Sequence, residues 1–313
     1  MDKSNTKILI VGAGVIGSIY AVKLSKVGYS VTMYARSRRL DELQENGLVF
    51  QNTNTNRVEK ADVKIISTLS DEDFYDFIFV TVRYEQIEAA LSDIKSNCSQ
   101  NIITLVNNPF GYDKWEGIVG KGRIIPAFPG AGGKIESGVL CYKITTRLVQ
   151  STTIGELSSG RSPRVMRLYK LLKSSDFPVS ICNDMDAWQK SHLAMVIPMA
   201  NSIYFDGGNN YTTAQNKEAI HNMSLSLKEN FVFLKASGIA VTPFKLNVFR
   251  FCPVWILNII LKQLYRTKFS EILISNHALN AKQEMGLLSN EFAELARSKG
   301  FYLRYLKKQS HSL

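Results

Sequence analysis

The residues with the plainest chemical meaning are Gly12-Ala13-Gly14-Val15-Ile16-Gly17. They follow a short apolar run, Lys7 to Val11, and open a segment in which Ile16, Ala21, Leu24 and Val27 recur at helical spacing before a second apolar run, Ser30 to Tyr34. Between a strand and a helix, a G-x-G-x-x-G pattern reads as a dinucleotide-binding loop. Its chemistry belongs to the backbone. Gly12 permits the tight turn, Gly14 omits a Cβ so that a pyrophosphate can approach, and Gly17 lets the helix pack close to the strand. The phosphates then meet main-chain N–H groups across Gly12 to Gly17, at the positive end of a helix. The competing reading is a turn that happens to need glycine.

The residue closing the second strand selects the nucleotide. An acid there accepts from a ribose 2′-OH and repels a 2′-phosphate. Here the strand ends in Tyr34-Ala35-Arg36, about 20 residues beyond Gly17, near the expected distance. A planar guanidinium pairs bidentately with phosphate, so NADPH is expected over NADH; the alternative is a solvated basic turn. FAD enzymes and methyltransferases use similar loops but commonly carry an acid at this point, and its absence lowers both.

The elements that must hold these groups alternate along the first half. A short helix is expected over Arg39 to Asn46, a hairpin over Leu48 to Thr68, a strand over Asp76 to Val82, a helix over Gln86 to Ile94, and strands over Ile102 to Val106 and Arg123 to Phe128. Gly138 to Arg147 and Ser151 to Glu156 read as a late antiparallel pair, followed by a helix from Val165 to Leu172 and a strand from Val179 to Cys182. Beyond that, strand signals vanish. Helices are expected over Asp186 to Tyr204, Thr213 to Gly238, Val254 to Tyr265, Phe269 to Met285 and Ser289 to Lys299. The fold class is therefore an α/β Rossmann-type, doubly wound N-terminal domain, residues 1–183, followed by an all-α domain, residues 184–313. The stripe Val254, Leu257, Ile260, Leu261 reads as helix packing or a subunit interface.

With Gly12 to Gly17, Arg36, Val80-Thr81-Val82-Arg83, Leu105-Val106-Asn107-Asn108 and Trp188-Gln189-Lys190 in this order and spacing, the chain resembles the ketopantoate reductase family. The likeness covers most of the chain, and the combination of short motifs is what makes it specific. It implies a Rossmann-type domain that binds NADPH, a helical second domain, and reduction of 2-dehydropantoate or a related small 2-oxo acid, the family's place being pantothenate biosynthesis. Arg36 then matches the arginine at the 2′-phosphate, and Arg83 stands where the family usually has a cofactor-binding lysine. Asn108 matches the asparagine of a Q-N-G turn near nicotinamide and substrate, with Asn107 and Pro109 replacing its neighbours. Phe128-Pro129-Gly130-Ala131 keeps only the small residues of another cofactor loop.

Lys190 matches the family's general acid. Hydride delivery to a ketone carbon leaves an alkoxide, and an ammonium at that oxygen both stabilises the charge and donates the proton. From composition alone Lys190 would read as an exposed helix lysine. Glu271 falls at the family's glutamate beside the nicotinamide ribose and substrate hydroxyl; the alternative is a solvent-facing helix glutamate. The resemblance also has gaps. Ala194 and Pro198 occupy positions where the family carries substrate-facing asparagines, and Pro198 is expected to kink its helix. Asn201, three turns beyond Lys190 on the same face, is the candidate to replace them, and Asn209, with Asn210, lies near the family's third asparagine. A site that loses hydrogen-bonding groups changes its substrate.

The composition agrees with a soluble enzyme. The 313 residues carry 38 Lys and Arg against 27 Asp and Glu, a net charge of +11 that suits anionic ligands. The basic residues are scattered and no nucleic-acid-binding motif accompanies them, so the expected partners are a nucleotide, a small carboxylate substrate and a second copy in a homodimer, with no nucleic acid and no membrane. Phe249 to Leu261 is too short and too interrupted to span a bilayer. Cys98, Cys141, Cys182 and Cys252 are isolated and read as buried thiols of a cytoplasmic protein. His192, His221, His277 and His311 offer no metal spacing, and His192 reads as a helix-surface residue. Two rival functions stay open: a nucleotide-responsive binding module whose substrate site has decayed, and an oxidising enzyme resembling the 6-phosphogluconate and 3-hydroxyacid dehydrogenases.

Overall fold

The structure, a computed structural model, describes residues 3–52, 55–158 and 161–310. It divides into two compact units, one of Met1–Val106 with Tyr112–Met185, the other of Asn107–Gly111 with Asp186–Leu313.

The first unit runs β1 (Lys7–Val11), α1 (Val15–Lys26), β2 (Ser30–Tyr34), α2 (Ser37–Asn46), β3 (Leu48–Gln51), β4 (Val58–Ala61), β5 (Lys64–Ile66) and β6 (Phe77–Val80). It continues with α3 (Ile87–Ile94), β7 (Ile102–Thr104), α4 (Asp113–Val119), β8 (Ile124–Phe128), β9 (Ala131–Glu136), β10 (Val139–Ile144), β11 (Thr152–Gly155), α5 (Pro163–Ser174) and β12 (Val179–Cys182). Eight strands form one sheet in the order β12-β11-β8-β7-β6-β1-β2-β5, parallel except where β11 meets β8. Because side chains alternate across a strand, both faces must be covered. On β1 and β6, Ile8, Ile10, Phe77 and Phe79 join the core beneath α1 and α5. Leu9, Val11, Ile78 and Val80 join the opposite core beneath α3 and α4. This is a Rossmann-type sheet, and it fixes the β1–α1 loop between two rigid elements.

A second sheet has the order β4-β3-β10-β9. Here the expectation of an antiparallel pair between Gly138 to Arg147 and Ser151 to Glu156 fails. β10 pairs antiparallel with β9 and parallel with β3, whereas β11 belongs to the large sheet. The cause is the turn at Ser137 and Gly138, both with positive φ (48° and 81°), which closes a tight hairpin that the glycine-rich Ala131 to Glu136 does not advertise.

The second unit is helical: α6 (Met185–Phe205), α7 (Asn210–Gln215), α8 (Lys217–Ala236), α9 (Val248–Phe251), α10 (Val254–Tyr265), α11 (Lys268–Ser270), a π-helical segment Glu271–Ser275, α12 (Asn276–Asn280), α13 (Lys282–Ser298) and α14 (Arg304–Ser310). Two expected helices are divided differently. Asn216 separates α7 from α8 and caps the latter, accepting from the Glu218 and Ala219 N–H groups at 3.0 and 3.1 Å. The break expected after Met285 lies at Ala281, and α13 passes through Gly286. Pro198 sits inside α6 without ending it. A proline has no N–H for the carbonyl four residues back, and that carbonyl, on Ala194, instead accepts from the buried Asn230 Nδ2 at 3.1 Å.

Leu257 and Leu261 are buried, but Ile260 of the same stripe is exposed, beside Trp255 and Ile259. Cys98 is exposed and Cys141, Cys182 and Cys252 are half-buried, which corrects their reading as buried thiols. Among the described residues, no helix is long and apolar enough to cross a membrane, and no group of three or more His, Cys, Asp or Glu stands where a metal could bind.

Candidate active site

In the first unit, the geometry of the glycine loop assigns each glycine its own reason. Gly12 has φ +102°, a conformation side-chain-bearing residues avoid, and a Cβ there would stand 2.9 Å from Val82 Cγ1. A Cβ on Gly17 would stand 1.9 Å from the Gly12 carbonyl oxygen and 2.6 Å from Thr81 Oγ1, so α1 lies as close to the loop as glycine allows. A Cβ on Gly14 would meet nothing within 4 Å. Gly14 is the N-cap of α1, with no side-chain cap and no acid in the first turn. The N–H groups of that turn, at Val15, Ile16 and Gly17, lack partners within the helix and carry its positive end.

The loop is held from below. Thr81 Oγ1 donates to the Gly12 carbonyl at 2.8 Å, and Arg39 Nε donates to the Ala13 carbonyl at 3.1 Å. Arg39 Nη2 is buried with no hydrogen-bond partner among the described residues. An open cradle of amides beside an orphaned guanidinium donor fits the diphosphate of a dinucleotide. Gly12, Ala13, Gly14, Val15, Ile16, Gly17 and Arg39 would hold it.

Arg36 ends β2 as the N-cap of α2, and its side chain is 55% exposed. Its Nε and Nη2 donate to the Tyr34 hydroxyl at 3.1 and 2.6 Å, the guanidinium lies 5.1 Å from the Tyr34 ring centre, and Nη2 pairs with the Asp93 carboxylate. That carboxylate, then the Tyr34 hydroxyl, holds Arg36 even more firmly protonated than an ordinary guanidinium. Ser37, the next residue, has φ +50°, a strained value for a residue with a side chain. Arg83 is exposed in extended backbone before the 3-10 turn Tyr84–Gln86.

In the second unit, Lys190 is 8% exposed, unlike an ordinary helix lysine. It lies on α6, and its ammonium pairs with the Asp186 carboxylate one turn earlier. The other carboxylate oxygen, Asp186 Oδ1, is buried and has no hydrogen-bond partner among the described residues. Gly111 lies against it, because a Cβ there would be 3.3 Å from Oδ1. Lys190 is therefore a cation held in one place with most of its surface out of water, the arrangement a proton donor needs. His192 stacks on Trp188, ring centres 5.2 Å apart, on the same helix.

The other expected site residues have neighbours of their own. Asn108 is buried; its Nδ2 donates to the Gly111 carbonyl at 2.7 Å and its Oδ1 accepts from the Phe110 N–H at 3.1 Å, so its amide shapes its own loop. Asn107 Oδ1, by contrast, is buried with no hydrogen-bond partner among the described residues. Asn209 caps α7, accepting from Tyr211 and Thr212 N–H groups at 2.9 Å each. Asn201 is fully buried, donating to Ser289 Oγ at 3.3 Å. Glu271 opens the π-helical segment and accepts from the Tyr211 hydroxyl at 2.8 Å, a bond that raises the phenol above its ordinary range. Ala194 is fully buried.

Sequence reasoning missed Asp186, although an acid four residues before a lysine on one helix is a readable signal. It also missed Asp93, which no spacing relates to Arg36.

Residues 8–158 match the family model described as ketopantoate reductase PanE/ApbA. The 2-dehydropantoate 2-reductase of Aquifex aeolicus (strain VF5) is 27% identical over 122 residues, 38% of this chain and 37% of that protein, so the match spans little more than a third of the relative's length. Among solved structures, a D-mandelate dehydrogenase with NADH and anilino(oxo)acetate is similar at a TM-score of 0.78 and 16% identity, covering 98% of this chain and 96% of that one. A PanE/ApbA family ketopantoate reductase from Ralstonia eutropha JMP134 gives 0.78 at 15% identity over 98% and 96% of the two chains. The 2-dehydropantoate 2-reductase from Geobacter metallireducens GS-15 gives 0.76 at 16% over 98% of each. At such identities the structural likeness speaks for the fold alone. The sequence match adds a likeness to the ketopantoate reductase PanE/ApbA family over residues 8–158, a little under half of the chain.

Proposed function

We propose that this chain is an NADPH-dependent oxidoreductase that reduces a small 2-oxo acid to the 2-hydroxy acid, with Lys190 as general acid. The observation that carries the reading is Lys190 itself, an almost fully buried ammonium tethered to Asp186 on α6. The nucleotide part rests on the open amide cradle at Gly14 and on Arg36, with Arg83 as a second cation.

A nicotinamide nucleotide held by Gly12 to Gly17, Arg36 and Arg83 would supply the hydride. As the carbonyl carbon accepts it, charge gathers on the carbonyl oxygen, and Lys190 donates its proton there, leaving a neutral amine that solvent reprotonates. Asp186 fixes where the ammonium points. Glu271, with Tyr211 on one carboxylate oxygen, is the candidate acceptor for a hydroxyl of substrate or ribose. Asn107 Oδ1 offers a buried acceptor where the family asparagine, Asn108, is engaged within its loop.

Ala194, the capping role of Asn209 and the Ser289 contact of Asn201 support a substrate other than 2-dehydropantoate. The test is oxidation of NADPH and NADH across a panel of 2-oxo acids that begins with ketopantoate and includes phenylglyoxylate. Turnover of one member supports the reading. Tight nucleotide binding without turnover of any member would favour the rival favoured by those same residues, a nucleotide-binding module with a decayed substrate site.

The same reading takes the protein as cytoplasmic and homodimeric. Phe244, Val248, Phe251, Trp255, Ile259 and Ile260 are exposed along consecutive helical segments. Bare aromatic side chains present about 150–250 Å² each, so this stripe approaches the roughly 800 Å² that each partner gives to a standard interface. Light scattering of a dimer that Trp255→Glu dissociates supports this; a wild-type monomer contradicts it.

A further inference from the structure

We propose that Asp93 tunes the nucleotide preference of this chain by competing with the 2′-phosphate of NADPH for Arg36; the proposal rests on the reading that Arg36 meets that phosphate. A guanidinium grips a phosphate through two adjacent N–H groups. On Arg36 the Nε and Nη2 edge is already engaged: both donate to the Tyr34 hydroxyl, at 3.1 and 2.6 Å, and Nη2 also pairs with the Asp93 carboxylate. Asp93 comes from α3, so its carboxylate is brought to the end of β2 by the fold and by no local sequence pattern.

Two anions cannot share one Nη2 without cost. A 2′-phosphate arriving at Arg36 must displace the carboxylate and then lie beside it, whereas NADH, with a ribose hydroxyl, leaves the Arg36–Asp93 pair intact. Tyr34 shares that edge but is neutral, so whatever hydrogen bonds it yields to a phosphate, it does not repel the phosphate's charge as Asp93 does. Asp93 therefore works against NADPH and leaves NADH nearly untouched, drawing the two affinities together. Both partners keep part of their surface in water, the side chains being 55% and 29% exposed, so the competition is of surface strength.

The experiment measures dissociation constants of NADPH and NADH, at one fixed salt concentration, for the full-length wild type, Asp93→Asn, Asp93→Ser, Arg36→Ala and the Arg36→Ala/Asp93→Asn double variant. Removing the charge at Asp93 is expected to tighten NADPH about two- to fivefold and to change NADH less than about 1.5-fold. The gain must vanish in the double variant, because it acts through Arg36. If Arg36→Ala loosens NADPH but neither Asp93 variant tightens it, the competition does not exist although the assignment of Arg36 stands. If Arg36→Ala leaves NADPH unchanged, the assignment itself falls and takes this proposal with it. Equal tightening of both nucleotides would also overturn it.

Discussion

Gly14 and Gly17 stand three residues apart in the same loop, yet the structure separates what each does. Gly14→Ala places a methyl where nothing lies within 4 Å, at φ −73°, which suits alanine. The structural penalty is the poorer N-cap, about 0.5–1 kcal/mol, or a fall of about 1–4 °C in melting temperature for a chain of this size. The methyl nevertheless stands over the amides that the cofactor's diphosphate would use. Losing one charge-assisted hydrogen bond of about 1.5–3 kcal/mol weakens binding about ten- to a hundredfold at 1.4 kcal/mol per tenfold. Gly17→Ala reverses the pattern. Its methyl would sit 1.9 Å from a backbone carbonyl, which cannot turn aside as a side chain can, so α1 must shift. Overpacking of that kind costs about 1–3 kcal/mol or more, and stability and binding fall together. Fluorescence titration of NADPH with thermal melts of both variants reads the two effects separately. A well-folded Gly14→Ala protein that binds NADPH as tightly as wild type would show that the loop does not hold the diphosphate.

Asp186→Asn should lower kcat about tenfold, with KM and NADPH affinity little changed, and Asp186→Glu should recover part of the loss; steady-state kinetics that show a KM effect alone would count against a positioning role. Asn230→Leu leaves the Ala194 carbonyl buried without its donor and should cost about 1–3 kcal/mol. Pro198→Ala added to it restores an N–H four residues on and should recover much of that in denaturant unfolding. Glu156 accepts from Arg164 Nε and Nη2 at 2.8 and 2.5 Å. Burial would raise this carboxyl, but Arg164 and Ser162 outweigh it and hold it below the ordinary range. A depressed carboxyl stabilises the folded state above its unfolded pKa and loses that contribution as the pH falls. Glu156→Gln should therefore cost about 2 kcal/mol at neutral pH, and the gap to wild type should close below about pH 4 in melts across pH.

Much of the first unit was legible in the sequence because its strands are short runs rich in apolar and β-branched residues bounded by polar residues or glycine. β1, β2 and β12 have the bounds expected of them, and so does α10 in the second unit. The β9–β10 hairpin was hidden because Gly132 and Gly133 weaken a strand signal, yet Gly133 is needed where a Cβ would stand 2.3 Å from the Cys141 carbonyl. Helical periodicity carried no information about the π-helical segment at Glu271 or the break at Ala281, neither of which is marked by proline or glycine. In the candidate site, the backbone loop was readable since its chemistry lies in glycine spacing. The partners were not: Asp93 reaches Arg36, and Ser289 reaches Asn201, only through the fold. Asn108 and Asn209 have residue types that suit a ligand, but short-range capping and loop closure claim the same groups.

Lys190→Ala, compared with wild type in NADPH binding and in turnover of the best 2-oxo acid, tests the central claim most directly. The account expects NADPH affinity within about twofold and a loss of turnover of about a hundredfold or more, the usual contribution of a general acid. Turnover that survives the substitution would contradict it.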